Sequence, residues 1–257
     1  MAATDRFMRT RALLGEEKMS RLQQASVMII GLGAVGGYAL EALARAGVGH
    51  LTLVDFDAFD ETNINRQILA LDSTVGRQKT AVAAERVKDI NPDCCVTLKN
   101  MFVNGDTLPQ LFCEPVDFVV DAIDALNPKC NLMEYLYTRR IPFISSMGAA
   151  LKSDTSKIFY GRLSQTKNCA LAKFVRKRLK RRNVDISKIN CVSSTEVPDI
   201  PETALFETED AATEDAATEN GRIRKNMGSL PTITAIFGLM IANEVIKFLA
   251  EKKNGDE

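Results

Sequence analysis

Short apolar runs alternate with helical stretches along the first 150 residues of the chain. The runs predict five buried strands, at residues 27–30, 51–54, 96–98, 118–120 and 142–144. Apolar residues with helical spacing occupy the intervals at residues 34–46, 77–90 and 128–139. Strands that alternate with helices are typical of parallel sheets, because a helix carries the chain back to the start of the next strand. We therefore expect an α/β, Rossmann-like fold with a mostly parallel central sheet and helices on both faces.

The regular alternation weakens after residue 150. Residues 157–163 predict an extended segment, and residues 171–182 predict a helix crowded with lysine and arginine. From residue 196 to residue 220 every charged residue is acidic, and residues 209–218 repeat the pentapeptide EDAAT. This composition is typical of a solvated surface segment, so we interpret the repeat as an exposed insertion.

The last apolar stretch has helical spacing from residue 230 to residue 249. We expect this helix to close the core or a subunit interface. Its apolar centre, residues 230–242, contains a proline, two threonines and a glycine, and it is too short to span a bilayer. The sequence therefore predicts no membrane-spanning segment.

Composition narrows the class of protein. Apolar residues make up 46% of the chain and charged residues 26%, which excludes a chain disordered throughout. The N-terminal residues lack the apolar centre of a secretory signal, and the six cysteines form no C-x-x-C pair. We expect reduced thiols, no zinc and a cytoplasmic location. His50, the only histidine, stands at the entrance to an apolar strand and is interpreted as structural.

A glycine-rich turn follows the first predicted strand and opens a helix. Its glycines are Gly31, Gly33 and Gly36, and Asp55 ends the next strand. In this strand–turn–helix–strand context the glycines let backbone N–H groups approach a phosphate, and an acid at the position of Asp55 holds a ribose hydroxyl. The motif predicts a nucleotide site but does not choose between NAD and ATP, and glycines that serve packing alone remain the alternative.

Polar and charged residues follow at strand ends and in the loops between them. They are Asp57, Asn63, Arg66, Gln67, Lys79, Asp121 and Asp124. Two cations, two amides and an acid are the groups needed to hold a triphosphate and neutralise its charge. No residue is placed for acid–base work beside a nicotinamide, so the pattern favours ATP. The alternative for Arg66 and Lys79 is that they form surface ion pairs.

The Asn-x-x-Arg-Gln element with its downstream lysine resembles the ATP-dependent adenylating enzymes related to ubiquitin-activating enzyme and to the thiamine and molybdopterin adenylyltransferases. The resemblance covers residues 22–148 and implies their adenylation fold. It implies that Asp55 holds the ribose and that Asp124 holds Mg²⁺. The phosphates would contact Asn63, Arg66, Gln67 and Lys79. ATP and Mg²⁺ are thus the cofactors that the resemblance implies.

The resemblance also implies how the chain is organised. We expect one adenylation domain over residues 1–257, with a nucleotide-binding core at 20–150, a substrate-side region at 151–227 and a C-terminal helix at 228–257. Arg9 looks like the arginine that this family contributes to the partner subunit's ATP, which implies a homodimer; Arg6 is the alternative for that role.

Three segments resemble one branch of these enzymes, the tRNA threonylcarbamoyladenosine dehydratases. They are residues 6–10 together with 14–15, residues 170–173 and residues 191–196. The resemblance implies that ATP activates the threonine carboxylate of the modified adenosine next to the anticodon, and that the carbamoyl group closes onto it with release of AMP and pyrophosphate. The alternative in the same fold adenylates the C-terminal glycine of a small sulfur-carrier protein. An NAD-dependent oxidoreductase and a non-catalytic scaffold for a sulfur-transfer or tRNA-modification partner remain further alternatives.

A net charge of zero does not exclude a nucleic-acid partner, because basic residues of this chain cluster in one predicted helix. The chain carries 33 basic and 33 acidic residues, so its formal net charge is zero. Exposed charges act over only about 8–10 Å at physiological salt, and a nucleic acid therefore responds to a local patch. Under the resemblance, the tRNA backbone would bind Lys173, Arg176, Lys177, Lys180 and Arg181. As a bare charge run, the same helix is more often a solvated face.

Cys191 has two interpretations. It is a nucleophile or a gate beside the adenylate if a neighbouring cation lowers its pKa, or it is a buried structural thiol. Ring closure within one substrate does not require an enzyme thioester, which favours the structural interpretation.

Overall fold

The computed structural model describes residues 5–198, 205–206 and 226–251. Six strands of its main sheet run parallel, namely β1 (Ser26–Ile30), β2 (His50–Asp55), β3 (Cys95–Asn100), β4 (Phe118–Asp121), β5 (Phe143–Ser146) and β7 (Asn190–Ser194). The antiparallel strand β6 (Ile158–Arg162) pairs with β7 at one border. The strand order is β3-β2-β1-β4-β5-β7-β6, which confirms the expected mostly parallel sheet.

Eight α-helices lie within the described residues. They are α1 (Met8–Leu14), α2 (Glu16–Gln24), α3 (Gly36–Ala46), α4 (Lys79–Ile90), α5 (Leu108–Leu111), α6 (Leu126–Thr138), α7 (Ala170–Arg181) and α8 (Pro231–Glu251). Single 3-10 turns cover Glu61–Asn63, Thr155–Lys157 and Leu163–Gln165. A second, small sheet pairs β8 (Leu205–Phe206) with β9 (Asn226–Met227).

Both faces of the central strand β1 are buried, because side chains alternate across a strand. Val27 and Ile29 belong to an apolar cluster with residues of α2, α3, α4 and α8. Met28 and Ile30 belong to a cluster on the other face, with residues of α5 and α6. Apolar side chains of α6 and α7 form a third cluster beside β7. The expected covering of both faces by helices is confirmed.

The strand order reverses between β1 and β4. Strands β2 and β3 lie on one side of β1 in the sheet, and β4 and β5 lie on its other side. Loops at the carboxyl ends of β1 and β4 therefore leave in opposite directions and open a crevice, which is where ligands bind in open parallel sheets. The carboxyl edge is the sheet border where the parallel strands end, and the amino edge is the opposite border.

The C-terminal helix α8 packs closely on α3. A Cβ added at Gly238 would lie 2.4 Å from the carbonyl oxygen of Val35 and 2.8 Å from Cβ of Tyr38, so the absence of a side chain permits this approach. Ile233 and Phe237 on the same helix are fully buried. Residues of this helix belong to the main core, while the expectation that it closes the core or a subunit interface stays a prediction.

The expectation that the apolar stretch is too short for a membrane was wrong on length. The helix continues past residue 242 to Glu251 and has 21 residues; an 18-residue stretch within it has a mean hydropathy of 1.7, which would suffice by length and composition to cross a bilayer. Half of that stretch is buried inside the fold, and the buried face belongs to the main core. The core helix of a globular protein can be as long and as apolar as a membrane-spanning helix. Helix α8 packs in the core of this fold.

The expected division into a core, a substrate-side region and a C-terminal helix stays a prediction. Strands β6 and β7 come from the expected substrate-side region, yet they extend the same sheet as the nucleotide-binding core. The acidic repeat at residues 209–218 lies outside the described residues.

Candidate functional site

The glycine turn brings three strand ends together. Gly31 has a φ of +92° and donates its N–H to the carbonyl oxygen of Val54, at 2.9 Å, on β2. A Cβ at Gly31 would lie 2.9 Å from the carbonyl oxygen of Ala122, which follows β4. A Cβ at Gly36 would lie 1.8 Å from the carbonyl oxygen of Gly31. The fold itself therefore requires glycine at both positions, and the turn lies at the crevice between β1 and β4.

Gly33 differs from the other two glycines. A Cβ added at Gly33 would lie 3.8 Å from Nε2 of Gln67, its nearest neighbour, which is an ordinary van der Waals distance. Protein packing therefore does not explain a glycine at this position, whereas close approach of a phosphate to the backbone does.

Gln67 links the Asn-x-x-Arg-Gln element to the glycine turn. Its side chain lies over Gly33 and is only 7% exposed. Among the described residues, its buried Oε1 has no hydrogen-bond partner. Buried polar atoms are nearly always satisfied, so this oxygen marks a position where a water molecule or a ligand donor would bind.

Asp55 fixes the local backbone of the site. Its Oδ2 accepts a hydrogen bond from the N–H of Leu32 at 2.7 Å, and its Oδ1 accepts one from the N–H of Asp57 at 2.9 Å. Each carboxylate oxygen has a second lone pair for a ribose hydroxyl. The expected contact with ribose stays a prediction, and the geometry is compatible with it.

Lys79 begins α4 and is held by Asp57. Its Nζ lies 3.1 Å from Asp57 Oδ2, and its backbone N–H donates to the carbonyl oxygen of Asp57. The Lys79 side chain is 8% exposed, whereas that of Asp57 is 46% exposed. The ammonium is therefore fixed inside the site, and the more accessible carboxylate would have to share it with an incoming phosphate.

Arg66 is oriented by its own loop. Its Nη1 donates to the carbonyl oxygen of Thr62 and to Oδ1 of Asn65, both at 2.8 Å. Oδ1 of Asn63 accepts from the N–H of Asp60 and so closes the 3-10 turn. The loop holds the guanidinium near the site, while the contacts of Arg66 and Asn63 with phosphate stay predictions.

Asp121 does not reach the surface of the site. It is fully buried, where Oδ2 contacts Lys129 Nζ at 2.7 Å and accepts from Ser145 Oγ at 2.6 Å. Its Oδ1 accepts from the N–H of Ile123. Because both oxygens have partners in the interior, this geometry does not favour contact of Asp121 with ATP, and that contact stays a prediction.

Asp124 is the exposed acid on the loop after β4. It lies two residues beyond Ala122, the residue that contacts the glycine turn. Within the described ranges no group of three or more His, Cys, Asp or Glu side chains could hold a metal. A Mg²⁺ ion bound by one carboxylate plus phosphate oxygens and water needs no such group, so Asp124 fits that mode of binding.

Arg9 lies away from this chain's own glycine turn. On the segment that precedes it, Phe7 packs beside Gly47 at the end of α3, and Arg6 Nη1 donates to the carbonyl oxygen of Ile90 at the end of α4. Helix α3 starts at the glycine turn and is about 16 Å long at 1.5 Å per residue. Arg9 is therefore placed near the amino edge, and the expectation that it contacts the ATP of a partner subunit stays a prediction.

Cys191 is a buried strand residue. It lies in β7 with no exposed surface, and burial raises the pKa of its thiol to about 12. A thiol with such a pKa is not a thiolate at neutral pH. This environment favours the structural interpretation, while the role of Cys191 as a nucleophile or gate stays a prediction. His50, at the amino end of β2, is likewise remote from the site.

Helix α7 separates the candidate tRNA-binding residues into two groups. Lys173, Lys177, Lys180 and Arg181 are exposed. Arg176 is half-buried and donates from Nη1 to the carbonyl oxygen of Thr166 at 2.8 Å. Arg176 therefore anchors the helix to the preceding loop, and direct binding of tRNA by Arg176 is not favoured by this arrangement.

Two lysines near the carboxyl edge are buried, and the sequence did not predict their burial. Besides Lys129, Lys152 is 5% exposed, and its Nζ donates to the carbonyl oxygens of Asn168 and Glu196, at 2.9 and 2.5 Å. Burial lowers the pKa of Lys152. The Glu196 carboxylate accepts in return from the N–H of Ser153 at 3.0 Å. These contacts fasten the loop after β5 to the segment after β7, and a lysine in a polar loop gives no sequence signal of such burial.

Comparisons with known proteins agree with this geometry. The family described as the ThiF family matches residues 5–257. The tRNA threonylcarbamoyladenosine dehydratase of Bacillus subtilis is 41% identical over 192 residues, which is 75% of each chain. That of Escherichia coli is 34% identical over 257 residues, covering 96% of this chain and 94% of the relative. The E. coli tRNA N6-threonylcarbamoyladenosine dehydratase solved in complex with ATP has a TM-score of 0.82 at 32% identity, and the match covers 97% of both chains. The expected adenylation fold is thus confirmed, and the chain belongs to the ThiF family, in its branch of tRNA threonylcarbamoyladenosine dehydratases.

Proposed function

We propose that this chain is an ATP-dependent dehydratase that adenylates the threonine carboxylate of threonylcarbamoyladenosine in tRNA and promotes its cyclisation. The observation that carries the proposal is the glycine turn at the crevice between β1 and β4, with Gln67 over Gly33 and with Lys79 linked to the turn through Asp57 and Asp55. The full-length relatives named above support the choice of substrate.

The arrangement suits adenylate formation. A carboxylate oxygen attacks the α-phosphorus, the bond to the bridging oxygen breaks, and pyrophosphate leaves. The protein must align the attacking oxygen and spread the charge of the leaving group. Arg66 and Lys79 supply positive charge from two oriented side chains. Mg²⁺, held by Asp124 and the phosphate oxygens, would supply further charge neutralisation.

Ring closure completes the reaction. The carbamoyl group of the same nucleoside attacks the adenylate carbonyl carbon, AMP leaves, and the attacking group loses a proton. The modified nucleoside therefore loses one water overall. This step is intramolecular and needs no thioester, which agrees with the burial of Cys191.

The remaining parts of the proposal concern assembly and location. Arg9 at the amino edge would serve ATP in a partner subunit, which requires a homodimer. The exposed cations of α7 would bind the phosphates of tRNA. The compartment would be the cytoplasm, and a sulfur-transfer protein remains a candidate partner.

The test is turnover with a defined substrate. Purified protein, ATP and Mg²⁺ are incubated with tRNA carrying threonylcarbamoyladenosine, and the nucleosides are measured by mass spectrometry. We expect a nucleoside lighter by one water, with one AMP and one pyrophosphate released per event. Arg66→Ala should abolish turnover, whereas Lys18→Ala, an exposed residue of α2, should not. If the protein is folded and binds ATP but the nucleoside does not become lighter, the proposal is refuted.

Three further measurements distinguish the alternatives. A sulfur-carrier adenylyltransferase would show pyrophosphate exchange that requires the carrier protein and ignores tRNA. An oxidoreductase would be stabilised thermally by NAD rather than by ATP, since a ligand raises the melting temperature by mass action. A scaffold would keep its biological effect when Arg66 is replaced by alanine.

A further inference from the structure

One face of α7 is exposed along its whole length. Apolar residues Ala172, Val175 and Leu179 are buried beneath it. The exposed positions are Ala170, Lys173, Phe174, Lys177, Lys180 and Arg181. Their spacing of three and four residues places them on a single stripe of the helix surface. This α7 stripe carries four cations, and the helix has no acidic residue.

Phe174 is the large apolar side chain on the α7 stripe. Its side chain is 52% exposed, while the buried face of the helix is complete without it. The preceding residue is Lys173, and Lys177 lies one turn further on, so exposed lysines come before and after Phe174 along the stripe. Exposed aromatic rings flanked by cations are typical of surfaces that bind unpaired nucleotides, because the ring stacks on a base while the cations bind phosphates.

The α7 stripe begins near the carboxyl edge. A Cβ at Gly148, which follows β5, would lie 3.3 Å from Sγ of Cys169, and this sulfur accepts from the N–H of Ala172 at the start of α7. Phe174 is five residues beyond Cys169, a rise of about 7–8 Å along the helix. The ring is thus about one to two turns from the sheet edge that carries Asp124.

Arg176 keeps the α7 stripe in place. Its bond to the carbonyl oxygen of Thr166 joins the middle of the helix to the loop before it. Arg182, just after the helix, donates to Asn131 and Glu134 of α6, at 2.9 and 2.8 Å. The helix is held at two points, so Phe174 is presented on a rigid support, which lowers the entropic cost of stacking.

We propose that Phe174 stacks on an unpaired base of the tRNA loop that carries the modified adenosine, while Lys173 and Lys177 contact the flanking phosphates. The identity of this partner rests on the proposed function. A loop is favoured over a duplex because bases inside a helical stem are not open to stacking on a side chain. Charge complementarity favours RNA over a protein surface.

The test compares RNA binding by matched variants of the full chain. Phe174→Leu keeps an apolar side chain and removes the aromatic ring, whereas Phe174→Tyr keeps the ring. Lys177→Gln removes one cation from the same stripe. Fluorescence anisotropy measures binding to an anticodon stem–loop RNA and to a blunt duplex with the stem sequence, at several salt concentrations.

We expect Phe174→Leu to weaken stem–loop binding about tenfold, which corresponds to ~1.4 kcal/mol, and to leave duplex binding unchanged. Phe174→Tyr should stay within about twofold of the parent chain. Lys177→Gln should weaken binding to both RNAs and reduce the slope of log K against log salt by about one, whereas Phe174→Leu should not change that slope.

Stem–loop binding that is unchanged in Phe174→Leu, or an equal loss on the duplex, overturns the inference. Failure of the parent chain to bind the stem–loop overturns it as well. Circular dichroism and thermal stabilisation by ATP establish that each variant is folded. If the parent chain cyclises the nucleoside and Phe174→Leu binds the stem–loop as tightly as the parent chain does, only this inference is refuted. If binding depends on the aromatic ring of Phe174 but the nucleoside loses no water, only the proposed function is refuted.

Discussion

Lys129 Nζ lies 2.7 Å from Asp121 Oδ2, and neither side chain has any exposed surface. Ser145 Oγ completes the cluster, since it lies 3.0 Å from the ammonium and donates to the same carboxylate oxygen. The three side chains join α6 to the ends of β4 and β5. The loop that carries Asp124 runs between Asp121 and α6, so the buried pair fixes both ends of that loop.

Removal of the ammonium should destabilise the fold strongly. Lys129→Met leaves the Asp121 carboxylate buried without its cation, which costs about 3–5 kcal/mol. Urea unfolding followed by circular dichroism measures the free energy of unfolding. We expect a lower midpoint with little change in the denaturant slope, because the buried area is nearly the same.

The double variant Lys129→Met with Asp121→Asn is the control for this prediction. It leaves no uncompensated charge in the core, so it should recover part of the stability lost in Lys129→Met. A double variant whose loss equals the sum of the two single losses would show that the two residues are not coupled. That result would contradict the interpretation of the pair as one unit.

Alanine should destabilise the fold at one glycine of the turn and leave its stability nearly unchanged at another. Gly36→Ala places a methyl group 1.8 Å from a carbonyl oxygen, so we expect a loss of stability of about 1–3 kcal/mol or more. Gly33→Ala meets only ordinary contacts, so the melting temperature without nucleotide should stay near that of the parent chain.

ATP binding separates these two variants further. Gly33→Ala should weaken ATP affinity at least about tenfold, or ~1.4 kcal/mol, because the methyl group occupies the space where a phosphate approaches the backbone. Isothermal titration calorimetry with ATP measures the change. If Gly33→Ala binds ATP as tightly as the parent chain, the phosphates do not approach the backbone at Gly33 and the prediction is wrong.

The elements of the fold could be predicted because their causes are local. The strands follow from short apolar runs, and the glycine turn follows from a motif whose positive φ at Gly31 only glycine adopts readily. The resemblance in the Asn-x-x-Arg-Gln element placed Arg66 and Gln67 on one loop, and Gln67 does lie over Gly33. Local pattern and local geometry agree in these cases.

Burial of single polar residues could not be predicted, because it depends on contacts between distant segments. Asp121 and Asp124 are both acids near the end of β4, yet one is fully buried and the other is exposed. Lys129 sits in a helix whose pattern gives no reason to expect a buried ammonium. The position of Arg9 at the amino edge likewise depends on how the segment before α1 packs against the ends of α3 and α4.

Acid should weaken the contact between α3 and α4. Burial raises the pKa of Glu41, but hydrogen bonds from Arg86 and Arg45 outweigh it, and the pKa lies below its ordinary 4.5. A lowered pKa contributes stability that is present above about pH 4.5 and is lost as pH falls through the folded-state pKa. Glu41→Gln should therefore be less stable by about 1–3 kcal/mol at pH 7.

The measurement is urea unfolding of the parent chain and Glu41→Gln between pH 7 and pH 3. The difference between the two proteins should shrink as the pH falls below 4.5, since protonation removes the same charge that the substitution removes. Glu85→Gln serves as the control, because Glu85 is an exposed residue of the same helix α4 as Arg86. A difference that stays constant down to pH 3 would contradict this role for Glu41.

Cys191 should be inert as a thiol and dispensable for turnover. Its pKa of about 12 exceeds the ordinary 9.0 because of burial, so the neutral thiol persists in the folded protein at pH 9. The stability linked to this group is complete below pH 9 and is lost as the pH rises toward 12. Iodoacetamide at pH 8.5, followed by peptide mass spectrometry, should alkylate the exposed Cys95 and Cys113 and leave Cys191 unmodified until denaturant is added.

Turnover by Cys191→Ala completes this prediction. The substitution removes a small buried side chain, so a modest loss of stability is expected, and ATP-dependent loss of water from the modified nucleoside should continue at a comparable rate below the melting temperature. A covalent intermediate on Cys191 would instead require a thiolate that the buried environment disfavours. Abolished turnover in a folded Cys191→Ala variant that still binds ATP, or rapid alkylation of Cys191 in the native state, would restore the nucleophile interpretation.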